Sequence, residues 1–421
     1  MKHVATESPA GLRFWRPSRR QALIGLGAGL VAAGGLAACT GSGGAKMKLW
    51  PKGGKPVLRG AVIVQRRRRE DIDGPAGGFG GDAAALPAYG QQEFDALSSE
   101  GANLVVMSFP ELWTVEPPYK RDQTMADLLM AQIEMAKTAG LYVVVALRSG
   151  PGRSDFVFHR DEADSWFSSE LIVDRIWTSA DAQVAWGDMC VDAANLLAGR
   201  DEVVGLNIMV EPDSNVSGVD ADNRKLDVWT PERYLEKVGG TSDWKRLANE
   251  VSRKVRVADR DLPILISPPA CARGDFLSVM GDAPVRNCVW CIHDYEPRAF
   301  THSDREKYAD AVFDAAADDF AARLKATKGQ GAPVFLGEFG AARWGRNVDA
   351  YFRARLQACE REGVNWSAFR WPTFDTGYEL VNDTFNLMAG NNPETTANDG
   401  GAGILEIANG WQANTRRPGA S

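Results

Sequence analysis

From residue 57 onward the chain alternates between two hydrophobic patterns. One is a set of short, nearly continuous apolar runs rich in β-branched residues, at 58–64, 103–109, 141–147, 203–210, 262–267, 288–293, 333–338 and 364–371. Runs of this length without polar alternation are what parallel strands covered on both faces look like. The other pattern repeats apolar positions at helical spacing, at 91–100, 125–139, 180–197, 243–257, 304–325 and 348–362. The stretch between the fifth and sixth strands is poorly marked, so the count stands to within about one unit. Several strands follow a glycine, as in SSEGANLVV, AKTAGLYVVV and EREGVNWSAF. Glycine there suits a helix C-terminus that feeds straight into a strand.

Strand, long loop, helix, short loop, repeated about eight times, predicts a single (β/α)8 barrel over residues 57–421. The long strand-to-helix loops fall at 65–90, 148–179, 212–241 and from 372. In such a barrel they gather at the C-terminal face of the strands, where active sites sit. No linker composition separates a second domain.

The first 38 residues read as an address. A twin arginine, Arg19-Arg20, precedes a Gly/Ala-rich apolar stretch that ends Leu36-Ala37-Ala38-Cys39. The paired arginines resemble a twin-arginine export signal, and the terminal four residues resemble a lipobox whose Cys39 is acylated. This predicts a membrane-anchored lipoprotein on the periplasmic or cell-surface side, with 39–56 as a flexible tether.

Composition changes the picture little. The chain is 44% hydrophobic and 24% charged, with a net charge of −7, and removal of 1–38 takes the charge to −11 over 383 residues. That balance excludes a grip on nucleic acid through net charge. Six cysteines are too few for a disulfide scaffold, and a single CxxC, Cys288 and Cys291 on one strand, makes no zinc site. Thirteen tryptophans are more informative, because flat aromatic faces serve either a core or the apolar faces of sugar rings.

Chemistry is expected at the strand ends. Glu211 closes the fourth apolar run and Glu338 the seventh. A carboxylate at the end of a buried strand is costly unless it is paired or used. Strands four and seven lie on opposite parts of the ring, so their carboxylates can face each other across its mouth. Alternation places Asn207, Met209 and Glu211 on one strand face, and His293 and Tyr295 on another.

VEP at strand four, HDYEP around strand six, LGEFG at strand seven and FRWPTFD at strand eight together resemble glycoside hydrolase family 5. The resemblance spans roughly residues 57–371. It implies a retaining glycosidase acting on a β-linked polysaccharide or oligosaccharide, as cellulases and mannanases do. It further implies Glu211 as general acid/base, Glu338 as nucleophile, Tyr295 as hydrogen-bond donor to the nucleophile, and His293 as a wall of the sugar site. Trp371 matches the family's strand-eight tryptophan that floors the sugar site. Asn207 and Arg148 line the site on this reading, Arg148 standing where many members have histidine. Trp344, just past the nucleophile, either stacks on sugar or anchors its loop. Val210 stands where the family usually has asparagine before the acid/base. Two carboxylates suffice for the reaction, so no metal or organic cofactor is expected, and the chain is expected to be a monomer. The rival expectation is a noncatalytic surface glycan-binding lipoprotein on the same barrel.

Overall fold

The computed structural model describes residues 43–67, 89–164, 167–213, 230–237, 240–303, 312–313, 320–328, 331–374, 383–395 and 400–419. Eight strands close a parallel barrel in chain order: β1 Arg59–Val64, β2 Leu104–Phe109, β3 Tyr142–Leu147, β4 Val203–Asn207, β5 Ile264–Ile266, β6 Cys288–His293, β7 Val334–Glu338 and β8 Asn365–Phe369. Each strand pairs in parallel with the next, and β8 returns to β1. The fold is a single (β/α)8 barrel.

Alternation along the strands sorts two layers. Val62, Val106, Val144, Val204, Leu265, Val289 and Phe335 fill the barrel interior. Ile63, Val105, Val143, Leu206, Ile264, Trp290, Leu336 and Trp366 point outward, under the helices. Both sets are buried, which is why the strands read as unbroken apolar runs. At Gly60 the strands come too close for any side chain, since a Cβ there would sit 1.8 Å from the Leu104 carbonyl oxygen.

Helices among the described residues include α1 Gln91–Ser99, α2 Gln123–Thr138, α3 Ala180–Leu197, α4 Trp244–Ala258, α5 Leu277–Met280, α6 Phe320–Ala326, α7 Val348–Glu362 and α8 Ala402–Trp411. Three begin where a side-chain oxygen accepts an otherwise orphaned backbone N–H: Asp122 for α2, Ser179 for α3 and Asp243 for α4. These caps end three of the long upper loops. Among the described residues no helix is long and apolar enough to cross a membrane.

Several boundaries differ from the sequence reading. β4 stops at Asn207 instead of running to 210, and β5 has three residues. The poorly marked unit between β5 and β6 holds only short helical turns, Pro269–Ala272, Gly274–Phe276 and α5. Of the helix expected at 304–325, the described part is Phe320–Ala326. Helix α8 was not expected. It packs on α7 and β1 through Ile404, Ile407 and Trp411, and the Trp411 indole donates to the Gly60 carbonyl. The tether expected at 39–56 is ordered at its end. Leu49 and Trp50 close the bottom of the barrel, with the Trp50 ring 5.3 Å from Phe335 and its indole N–H on the Val204 carbonyl at 2.9 Å. Two large apolar side chains in a row find their burial there. Cys39 lies outside the described residues.

Candidate active site

Three acidic or basic side chains converge at the mouth of the barrel. Glu338 ends β7 and is buried, Glu211 leaves β4 half-buried, and His293 ends β6 buried between them. The ligand-type atoms of the three all lie within 4.8 Å of one another. His293 Nδ1 is 2.7 Å from Glu211 Oε1 and 3.4 Å from Glu338 Oε2. The Tyr295 hydroxyl donates to Glu338 Oε2 at 2.9 Å. Room for this cluster comes from Gly337, where a Cβ would lie 2.4 Å from Cys291 Sγ and 3.3 Å from His293 Nε2. A side chain at position 337 would push the imidazole off the carboxylates.

The electrostatics follow from burial. Burial raises the Glu338 carboxyl to about 7, and the charge of Glu211 pushes the same way. The His293 cation, the Tyr295 hydroxyl and Arg148 pull it back down. For His293, burial alone would favour the neutral ring, but Glu338, Cys291 and Glu211 outweigh it and hold it well above the ordinary histidine value. Near neutrality the Glu338 carboxyl is therefore close to its midpoint, beside an imidazolium. The same three residues are a donor set of the kind metal ions take.

Glu211 reaches this position through an unusual backbone. Its φ is +45°, in the left-handed region that residues other than glycine rarely enter, at a cost of about 1–3 kcal/mol. The strand alternation has already broken. Ile208 and Met209 both pack outward, Val210 turns inward, and Glu211 follows. The expected shared face of Asn207, Met209 and Glu211 is thus not formed. Asn207 does point into the barrel, but one layer down, where its amide donates to Ser267 Oγ at 3.1 Å and Cys291 Sγ at 3.6 Å. It supports His293 through Cys291 and lies beneath the carboxylate cluster.

Arg148 is buried at the end of β3. It makes a two-pronged ion pair with Asp155, both contacts 2.5 Å, and donates to the Gln65 carbonyl at 3.0 Å. It contributes positive charge to Glu338 from that position. Trp344 is 4% exposed, with its indole on the Ser303 carbonyl at 3.0 Å, which makes it a loop anchor instead of a sugar platform. Trp371 is also placed away from the site. It is fully buried on the outer side of the sheet, 6.0 Å from the Trp411 ring, and its indole donates to the Glu93 carbonyl at 3.0 Å. Alternation along β8 sends Trp366 and Ala368 out and Phe369 in, and the pattern breaks just after Phe369.

The strand-eight aromatic that turns inward, toward Tyr295, is Phe369. Its ring is half-buried, 6.2 Å from Tyr295 and 5.5 Å from Phe385. His302 joins the group at 5.4 Å from Tyr295. Sequence reasoning passed over Phe369 because the neighbouring tryptophan was the stronger aromatic signal. Replacing Trp371 by Ala should therefore cost roughly 3–5 kcal/mol of stability, read as a fall in melting temperature, with the KM of the folded fraction unchanged. Replacing Phe369 by Ala should do the reverse, raising KM for a glycan with little loss of melting temperature. A raised KM in the Trp371 variant would contradict this placement.

The profile of the family "Cellulase (glycosyl hydrolase family 5)" matches residues 79–375, about 70% of the chain. None of the curated proteins matches the chain in sequence. Among solved structures, the endoglucanase Cel5A of the hyperthermophile Thermotoga maritima superposes with a TM-score of 0.55 at 17% identity, covering 83% of this chain and 97% of its own. A second structure, titled a glycoside hydrolase, gives 0.58 at 13% identity, covering 84% and 99%. XacCel5A in complex with cellopentaose gives 0.52 at 14% identity, with the same coverage. At these identities the likeness is one of fold, and the family follows from the sequence profile: the chain belongs to glycoside hydrolase family 5.

Proposed function

We propose that this chain is a retaining glycoside hydrolase that cleaves a β-linked glucan or mannan-type chain by double displacement. Glu338 is the nucleophile and Glu211 the general acid/base. The observation that carries this reading is the pair itself. Carboxyl oxygens from the ends of β4 and β7 lie within 4.8 Å of each other, with His293 between them. Retaining glycosidases hold their two carboxyl groups about 5–5.5 Å apart, whereas inverting ones need about 6.5–9.5 Å to admit a water. The substrate class is supported by family membership and by structural neighbours whose titles name cellobiose, mannotriose and cellopentaose.

In the first step Glu338 attacks the anomeric carbon while Glu211 gives its proton to the departing sugar oxygen. The Tyr295 hydroxyl favours the anionic form of Glu338, and the His293 cation lies against both acids. In the second step Glu211, now a carboxylate, takes a proton from water as that water displaces Glu338. No cofactor enters either step. A noncatalytic glycan binder would have no use for an imidazolium and a tyrosine hydroxyl trained on two acids.

The test is the stereochemistry of the first-formed product, followed by proton NMR during hydrolysis of cello- and manno-oligosaccharides. The β anomer should appear first and mutarotate later. Initial appearance of the α anomer would overturn the retaining assignment.

The reading extends to location. Arg19-Arg20 and Leu36-Ala37-Ala38-Cys39 support export by the twin-arginine route and a lipid anchor at Cys39. The full chain should fractionate with membranes in its host, and Cys39→Ala should fail to acquire lipid. Equal lipid labelling of both forms would remove the anchor from the proposal.

A further inference from the structure

The long loop after β3 opens with Gly150-Pro151-Gly152-Arg153. Gly150 and Arg153 exchange backbone hydrogen bonds of 2.9 Å, and Gly152 has a φ of +73°. Proline second and a left-handed glycine third is the chemistry of a type II turn. The turn aims Arg153 back under the barrel mouth, where it is 2% exposed. Nη1 donates to the carbonyls of Arg148 at 3.0 Å and Val210 at 2.8 Å, and Nη2 donates to the carbonyl of Glu211 at 2.8 Å. The guanidinium rests on the Phe158 ring, 4.8 Å from its centre. Asp174, Glu211 and Asp213 supply the negative charge around it.

These bonds fall beyond the end of the regular strand. β4 has ended at Asn207, three residues before Val210. The Val210 N–H still reaches the Leu147 carbonyl of β3 at 2.9 Å, and Glu211 then turns into the left-handed region. A planar fork presents its donors from separate nitrogens in a fixed geometry and so serves three carbonyls from two chain segments with less ordering than a lysine ammonium needs. We propose that Arg153 is a positioning residue for Glu211. By binding the carbonyls of Val210 and Glu211 and tying them to the end of β3, it holds the left-handed backbone that sets the Glu211 carboxyl against His293. This rests on the reading of Glu211 as the acid/base.

The experiment uses Arg153→Met and Arg153→Lys beside wild type. Two readouts are taken: the crystal structure of each variant, and kcat/KM on two substrates. One substrate is a cello-oligosaccharide, whose leaving sugar must be protonated. The other is a 2,4-dinitrophenyl β-cellobioside, whose leaving group needs no acid. The Arg153→Met structure should show φ at Glu211 outside the left-handed region, with the Glu211–His293 contact broken. Its kcat/KM should fall about 10²-fold on the oligosaccharide and by no more than about threefold on the dinitrophenyl substrate, because a misplaced catalytic group costs on that order. Arg153→Lys should recover part of the oligosaccharide rate.

Equal losses on both substrates would mean that Arg153 is merely structural and would overturn the proposal, as would an Arg153→Met structure with Glu211 unmoved. If Arg153→Met does not fold, the Lys variant carries both readouts. If wild type cleaves neither substrate, the glycosidase reading fails while the structures still decide whether Arg153 holds Glu211.

Discussion

Glu338→Gln should lower kcat/KM on cello-oligosaccharides by roughly 10⁴-fold or more while leaving the fold intact. The substitution keeps the size of the side chain, and the amide oxygen can still accept from Tyr295, whose hydroxyl lies 2.9 Å from Glu338. What it removes is the nucleophile, and a lost nucleophile leaves only binding and the remaining polar groups to act on the substrate. Melting temperature, read alongside, should change little. Equal, near-zero rates for wild type and Glu338→Gln would instead favour a noncatalytic binder.

The pH profile of kcat/KM adds a second reading of the same residue. Burial raises Glu338 to about 7 in the free enzyme, so activity should fall as pH drops through that region and the nucleophile takes up a proton. Tyr295→Phe removes a bond that favours the carboxylate. Glu338 then holds its proton more tightly, and the acid limb should move to higher pH. A limb that stays put would detach Glu338 from it.

The barrel was legible because its strands are covered on both faces, so continuous runs such as NLVVMSF and LYVVVAL could be nothing else for long. Glu211 and Glu338 were legible because each interrupts such a run where burial makes a charge costly. His293 and Tyr295 were legible from their spacing of two, which places them on one side although the strand ends at His293. Strand alternation failed where the strand itself ended early. β4 stops at Asn207, so extrapolating its period to Met209 gave the wrong face. β8 ends at Phe369, and matching Trp371 to the family's strand-eight tryptophan assigned a core residue to the site. Arg153 gave no signal as a site residue, because its partners are backbone carbonyls that carry no trace in the sequence. Only the Gly-Pro-Gly before it announced a turn. Leu49 and Trp50 were hidden by the Gly/Ser-rich stretch ahead of them, although two large apolar residues together seldom stay in a free tether.

Glu211→Ala separates the two half-reactions, and its effect should depend on the leaving group. With a sugar as leaving group the first step needs the acid, and kcat/KM should fall by about 10²–10⁴-fold. With a dinitrophenyl leaving group the first step needs no proton, so kcat/KM should stay within a few-fold of wild type. Turnover should nevertheless be slow, because the base that activates water for the second step is missing and the glycosyl-enzyme accumulates. Both kcat and KM should then drop together on that substrate. Azide, which needs no base, should enter the space left by the carboxyl and restore turnover, yielding the β-glycosyl azide. In a small variant of Glu338, azide would attack from the opposite face and give the α product. The anomer formed in each variant thus assigns the two roles independently of any rate. A β-azide from the Glu338 variant, or a uniform loss in Glu211→Ala across both leaving groups, would reverse or remove the assignment. The geometry argues for the order proposed here. Tyr295 donates to Glu338 and so favours a carboxylate there, while Glu211, the more exposed of the two, is the one that a leaving oxygen can reach.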